Sequence, residues 1–245
     1  MKLLIFSGTT EGRELSVKLA AAGAEVTVCV ATEYGSEEQG SCPGVTTLVG
    51  PLSPEEKQRL LRDAVLCVDA THPYAAHISA SVRFACETAG VPYVRLRRAS
   101  VPADGAIVMK DAAAAAEWLR AREGNILLTT GAKELPAFRD LPGERLFPRV
   151  LPTVAGVTAC EACGIPHRNI IAMQGPFTEE MNIATIRQYN VRYLVTKDGG
   201  IPGGFPEKIR AAKETGTCLV VLQRPEESGL DANEVFNLCM TALRR

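Results

Sequence analysis

The chain has 245 residues, 46% of them hydrophobic, with 27 basic and 28 acidic side chains giving a net charge of −1. That length can bury about 70% of the unfolded surface in one large or two small domains, and the balanced charge excludes wholesale binding to a nucleic-acid backbone or an anionic membrane surface. No apolar run approaches the roughly 18 residues that span a bilayer, and Met1-Lys2 leads straight into a strand pattern, so a cytoplasmic protein without a membrane partner is expected.

The first element is an apolar run, Leu3 to Phe6, which breaks into Ser7-Gly8-Thr9-Thr10-Glu11-Gly12-Arg13 and turns helical to about Ala22. A turn that opens a helix presents unpaired N–H groups and the positive end of the helix dipole, and so suits an anion. The spacing of Gly8 and Gly12 departs from G-x-G-x-x-G, and a plain strand-to-helix turn would read the same way. Strand patterns follow at Glu25 to Val30, Val45 to Val49, Val65 to Asp69 and Tyr93 to Leu96, with helices at Pro54 to Asp63 and Ala75 to Ala89. Ser53, Pro54 and Glu56 carry the signature of a capping box with proline in the first turn. Pro102 and Gly105 interrupt the series, so an N-terminal α/β domain over residues 1–99 and a C-terminal one over 104–245 are expected.

The second series begins with Ala106 to Met109 and a helix at Asp111 to Ala121, where the alanine run reads as helix rather than disorder. Strands are expected at Asn125 to Thr129, Arg145 to Val150, Asn169 to Ala172, Arg192 to Thr196 and Thr217 to Leu222. Helices are expected at Glu179 to Tyr189, Pro206 to Thr215 and Ala232 to Leu243. Alternation of apolar strands with helices predicts an α/β protein with two Rossmann-like open, mostly parallel sheets and an interdomain cleft. The eight cysteines lie mostly in apolar contexts, which favours buried thiols over disulfides. Cys160-x-x-Cys163 with His167 lacks a second ligand pair, so no metal is expected.

Ligands of open α/β sheets bind beyond the carboxyl ends of the strands. Besides Gly8 to Arg13, four such loops stand out: Ala70-Thr71-His72-Pro73-Tyr74-Ala75, Thr129-Thr130-Gly131-Ala132-Lys133, Gln174-Gly175-Pro176-Phe177 and Thr196-Lys197-Asp198-Gly199-Gly200. His72 can exchange a proton near neutral pH and Tyr74 can donate or stack, with Pro73 fixing the start of the following helix. The Thr130 and Lys197 loops repeat a threonine, a glycine turn and a lysine, a pattern suited to phosphate or carboxylate. Arg95, Arg97, Arg98, Arg145 and Arg149 are candidates for holding substrate carboxylates, and no Ser-His-Asp or H-E-x-x-H arrangement is present.

Together, Gly8-Thr9-Thr10-Glu11-Gly12-Arg13, Ala70-Thr71-His72-Pro73-Tyr74-Ala75, Thr130-Gly131, Gly175-Pro176-Phe177 and Lys197-Asp198-Gly199-Gly200 resemble the precorrin-6A and cobalt-precorrin-6A reductases of cobalamin biosynthesis over nearly the whole chain. The resemblance implies NADPH as cofactor and a polycarboxylate tetrapyrrole as substrate, with hydride reducing one carbon–carbon double bond. It places Tyr74 and His72 at the chemistry. Thr130, Gly131, Lys133, Gly175, Pro176, Phe177, Lys197, Asp198, Gly199 and Gly200 fall on the cofactor, and Gly8, Thr9, Thr10, Glu11, Arg13, Thr71 and Pro73 on the substrate. Family members often carry serine where Gly199 stands, which removes one hydroxyl donor here. Glu33, after the second strand, is a residue type that favours NAD over NADP; Arg13 offsets it, or the adenosine end lies near Lys133 or Lys197. The alternatives are a two-domain tetrapyrrole lyase or cyclase without a nucleotide and a non-catalytic nucleotide-binding sensor.

Overall fold

A computed structural model describes residues 2–98, 100–225 and 228–244, and the chain forms two compact units, Met1–Ala99 with Pro225–Arg245, and Ser100–Arg224.

In the first unit five strands pair in parallel: β1 (Lys2–Ser7), β2 (Glu25–Val30), β3 (Val45–Val49), β4 (Ala64–Ala70) and β5 (Tyr93–Arg95), in the order β3-β2-β1-β4-β5. Helices α1 (Thr10–Ala21), α2 (Glu33–Gln39), α3 (Pro54–Arg62) and α4 (Ala76–Ala89) make the connections. Leu3 and Ile5 of β1 bury with Leu15 and Leu19 of α1, while Leu4 and Phe6 bury with Val82 and Cys86 of α4. A strand buried on both faces must be apolar at every position, which is why β1 reads as a continuous run. The capping box at Ser53 and Glu56 forms as its spacing requires. Helix α2 was not legible as an element, because Glu33–Gln39 is polar throughout and is started only by the Thr32 side chain accepting from the Gly35 N–H.

The second unit holds six parallel strands: β6 (Ile107–Met109), β7 (Asn125–Leu128), β8 (Leu146–Val150), β9 (Ile171–Ala172), β10 (Val191–Lys197) and β11 (Cys218–Leu222), in the order β6-β11-β10-β7-β8-β9. Its helices are α5 (Ala112–Arg120), α6 (Val154–Ala162), α7 (Glu179–Gln188) and α8 (Phe205–Thr215), with a 3-10 segment at Ala132–Phe138 after β7. The alanines of α5 let it lie close on Tyr193, Val195 and Val220. Helix α6 contains the Cys160-x-x-Cys163 pair. Cys160 is buried in this core and donates to the Gly156 carbonyl, and His167 pairs with Glu161.

The expected C-terminal domain of 104–245 is corrected at its end. Helix α9 (Ala232–Ala242) packs on the first sheet, where Val235 and Cys239 bury among Leu3, Leu19 and Val68. Leu230 extends beside β5, its N–H donating to the Arg95 carbonyl at 3.0 Å and its own carbonyl accepting from the Arg97 N–H at 2.8 Å. The helix itself was expected at Ala232 to Leu243, but which sheet it covers depends on contacts with Leu3, Leu19 and Val68, far away in the chain. Among the described residues no helix is long and apolar enough to cross a membrane.

Candidate functional site

In each sheet the chain leaves two adjacent strands in opposite directions, β1 and β4 in the first unit and β7 and β10 in the second. Their carboxyl ends bound the crevice in which such sheets receive ligands. The four loops with the strongest sequence signals sit at these two places.

In the first unit Thr9 caps α1, accepting from the Gly12 N–H at 3.1 Å and donating to the Ala70 carbonyl at 3.0 Å. One side chain thereby starts the helix and ties it to the end of β4. A Cβ on Gly12 would stand 2.5 Å from Ser7 Oγ and 2.8 Å from Ala70 Cβ, so the close approach of α1 to the strand ends requires glycine there. Gly8 differs: a Cβ on it would meet nothing within 4 Å. Thr10 is half-buried and Arg13 exposed, while Glu11 pairs with the buried Arg98 at 2.5 Å. Thr9, expected on the substrate, also caps the helix, its hydroxyl donating one bond and accepting one within the chain. The Glu11 carboxylate is likewise held by Arg98.

The loop after β4 is built on a buried ion pair. Asp69 is fully buried and meets Arg95 at 2.6 Å, accepts from the Thr71 N–H and hydroxyl at 3.0 and 2.7 Å, and accepts from the Tyr93 hydroxyl at 2.8 Å. Arg95 also donates to the Thr71 hydroxyl and carbonyl, both at 2.9 Å. Burial acts to raise the Asp69 carboxyl, but Arg95, Thr71 and Ser79 outweigh it and hold the group below the usual carboxylate range. Burial and the Asp69 charge push the Tyr93 hydroxyl up. Thr71, expected on the substrate, thus anchors the loop, and Arg95 is the counter-ion of Asp69 rather than a free carboxylate binder.

The anchored loop projects His72 and Tyr74, whose rings lie 5.7 Å apart, with the Tyr74 N–H directed at His72 Nδ1 at 3.3 Å. Pro73 belongs to a turn closed by the Ala75 N–H on the His72 carbonyl at 2.8 Å, and α4 begins only after Ala75. Proline's fixed φ serves that turn, which leads directly into the helix.

In the second unit the β7 and β10 loops are joined by Lys197, whose Nζ meets Glu134 Oε1 at 2.7 Å. Lys197 is a structural cross-link as much as a candidate for a ligand, and Lys133 is exposed. Asp198 turns inward, accepting from the Gly200 N–H at 2.9 Å and from the Ser100 hydroxyl at 2.8 Å. Gly199 is packed so closely that a Cβ on Gly203 would stand 2.8 Å from its Cα, so the turn 199–204 needs both small residues, and no local sequence pattern marks Gly203. Gly131 takes a left-handed φ of +86° to start the 3-10 segment. Beside it Thr130 is buried, and its Oγ1 has no hydrogen-bond partner among the described residues. A buried hydroxyl left unmatched costs about 1–3 kcal/mol and marks a place where a partner is expected to arrive.

The Gly175-Pro176-Phe177 loop contains a cis Gly175-Pro176 bond and lies against Gly204, the cap of α8. Asn182 fixes it by donating to the carbonyls of Phe177 and Thr178 at 3.4 and 2.8 Å. The Phe177 ring stacks on Arg149, with the guanidinium carbon 3.8 Å from the ring centroid. Of the other candidate arginines, Arg145 donates to the carbonyls of Gly124 and Arg122, and Arg98 pairs with Glu11. Lys208, in the first turn of α8, carries no sequence signal, because an isolated lysine in an amphipathic helix reads as a solvated charge. It is 8% exposed and donates to the Gly203 carbonyl at 3.2 Å.

The fold and these crevices define the Rossmann-like class of α/β proteins that bind ligands at strand-end loops. The chain is 34% identical over 243 residues to the cobalt-precorrin-6A reductase of Methanothermobacter thermautotrophicus, covering 96% of this chain and 80% of that one. To the enzyme of the same name from Priestia megaterium it is 34% identical over 232 residues, 91% of each chain. The solved structure of the precorrin-6A reductase CobK matches with a TM-score of 0.81 at 25% identity, over 99% of this chain and 97% of that one. Residues 2–240 match the precorrin-6x reductases, CbiJ/CobK, and the chain belongs to that family.

Proposed function

We propose that this chain is a cytoplasmic, NADPH-dependent reductase that saturates one carbon–carbon double bond of a precorrin-6A-type macrocycle, metal-free or cobalt-bearing, in cobalamin biosynthesis. The observation that carries the reading is membership of a reductase family across residues 2–240, together with strand-end loops of the composition each ligand needs.

NADPH, when bound, supplies the hydride. The loops of the second unit suit the cofactor: Thr130 offers an unmatched buried hydroxyl, and Arg149 and Lys208 offer buried positive charge. Gly131, Lys133, Gly175, Pro176, Phe177, Gly199 and Gly200 shape the same edge of the sheet, with Lys197 and Asp198 bracing it. The first unit suits the macrocycle. Gly8 leaves open space above β1, Arg13 and the N–H groups at the start of α1 can meet carboxylates, and His72 and Tyr74 stand on a loop stiffened by Asp69 and Arg95. In this reading His72 and Tyr74 orient the ring, and the Tyr74 hydroxyl or the His72 imidazole hands on the proton that completes the reduction. Positioning rather than covalent catalysis is the protein's contribution.

Anaerobic incubation with metal-free or cobalt-loaded precorrin-6A, comparing NADPH with NADH and following nicotinamide oxidation and product mass, tests this. Gain of one hydride and one proton per cofactor oxidised is expected, and the productive substrate assigns the branch. Nucleotide binding without oxidation would instead support a sensor, and macrocycle conversion without nucleotide a lyase.

A further inference from the structure

We propose that Arg149 and Lys208 together form a binding site for a phosphate monoester dianion in the second unit. The two cations come from different elements, β8 and α8, and are 6% and 8% exposed. Among the described residues neither meets a carboxylate. Arg149 donates to the Asn182 carbonyl oxygen at 2.9 Å and lies on the Phe177 ring, and Lys208 donates to the Gly203 carbonyl at 3.2 Å. All of these acceptors are neutral, although a guanidinium carries five donors and an ammonium three.

The contrast with the other buried arginines is what makes the pair informative. Arg95 has Asp69 at 2.6 Å and Arg98 has Glu11 at 2.5 Å, as buried charge requires. The carboxylate nearest in sequence to Lys208, Glu207, is engaged by the exposed Arg210 at 2.9 Å. The two cations meet at one turn: Lys208 holds the Gly203 carbonyl, and a Cβ on the adjoining Gly204 would stand 3.6 Å from the backbone of Phe177, whose ring lies on Arg149; in keeping with this, burial first, and then the Arg149 charge, lower the Lys208 ammonium to about 8. Lys208 sits in the first turn of α8, so the positive end of an 11-residue helix adds to the same excess.

Charge count selects the ligand class. One carboxylate would offset one of the two cations, whereas a phosphate monoester carries about −1.5 to −2 at neutral pH and offers oxygens for a two-pronged guanidinium contact. Assignment of that group to the phosphate that distinguishes NADPH from NADH rests on the proposed cofactor; free inorganic phosphate is the other source of the same chemistry.

Calorimetric titration of the full chain with adenosine 2′-monophosphate, adenosine, inorganic phosphate, NADP+ and NAD+ tests the site, on wild type and on Arg149→Met and Lys208→Met. The expected result is a preference of roughly tenfold or more for adenosine 2′-monophosphate over adenosine, lost in both variants. The wild-type preference is measured without any substitution, and Lys208→Arg, which keeps the charge, should retain it. Absence both of a wild-type preference for adenosine 2′-monophosphate and of wild-type binding of inorganic phosphate overturns the site, and so does a preference that survives in both variants. Binding of inorganic phosphate that both variants lose, without binding of any nucleotide, upholds the site and removes the NADPH reading. A preference for NADP+ over NAD+ that persists in both variants overturns the site and leaves the NADPH reading intact.

Discussion

Lys208 shows how a side chain's position decides its chemistry. Burial and the neighbouring Arg149 lower its ammonium to about 8 from the ordinary 10.5, with Glu207 acting weakly the other way. Below pH 8 folded and unfolded chains both hold the proton. Between 8 and 10.5 the folded chain has released it while the unfolded chain keeps it, so stability rises with pH across that window, by roughly 3 kcal/mol if the whole span is realised. Denaturant midpoints from pH 7.5 to 10.5 should show this rise in wild type, and Lys208→Met should flatten it. Thr130 gives a second test at the same scale. Thr130→Val replaces an unmatched buried hydroxyl with a methyl group of similar shape, so the ligand-free protein should be unchanged or stabler by up to about 1 kcal/mol. Cofactor affinity, measured by titration, should fall several-fold.

At the scale of the element, the first strand, turn and helix combine two glycines with opposite roles. Gly12 is fixed by contact with Ser7 and Ala70, and Gly8 faces open space. Gly12→Ala should destabilise by about 1–3 kcal/mol through overpacking, and Gly8→Ala should leave stability within about 0.5 kcal/mol of wild type. If Gly8 leaves room for the macrocycle, Gly8→Ala should instead raise KM, so thermal melts and steady-state kinetics separate the two. The sequence made both glycines visible as a motif. It could not distinguish them, because the atoms that crowd Gly12 include Ala70, which lies 58 residues away in the chain at the end of β4. The β4 loop carries the same lesson: Thr71-His72-Pro73-Tyr74 was legible as a site, but the Asp69–Arg95 pair that holds it joins residues on neighbouring strands.

At the scale of the molecule, the C-terminal segment belongs to the first unit, and this gives a prediction for α9. Val235 is fully buried against the first sheet, so Val235→Ala should cost about 2 kcal/mol. Hydrogen exchange should show the lost protection in β1, β2 and β4 while the amides of β7, β10 and β11 keep theirs. The sequence by itself determined the alternation of strands and helices, the parallel α/β class and the strand-end loops, because these follow from local periodicity, capping and turn chemistry. Only the tertiary structure decided which sheet receives α9, and that Thr9, Thr71, Arg95 and Lys197 are engaged within the chain. It also decided that Arg149 and Lys208 are buried without a carboxylate partner among the described residues. Burial and charge pairing depend on groups brought together from distant parts of the chain, and no local pattern records them.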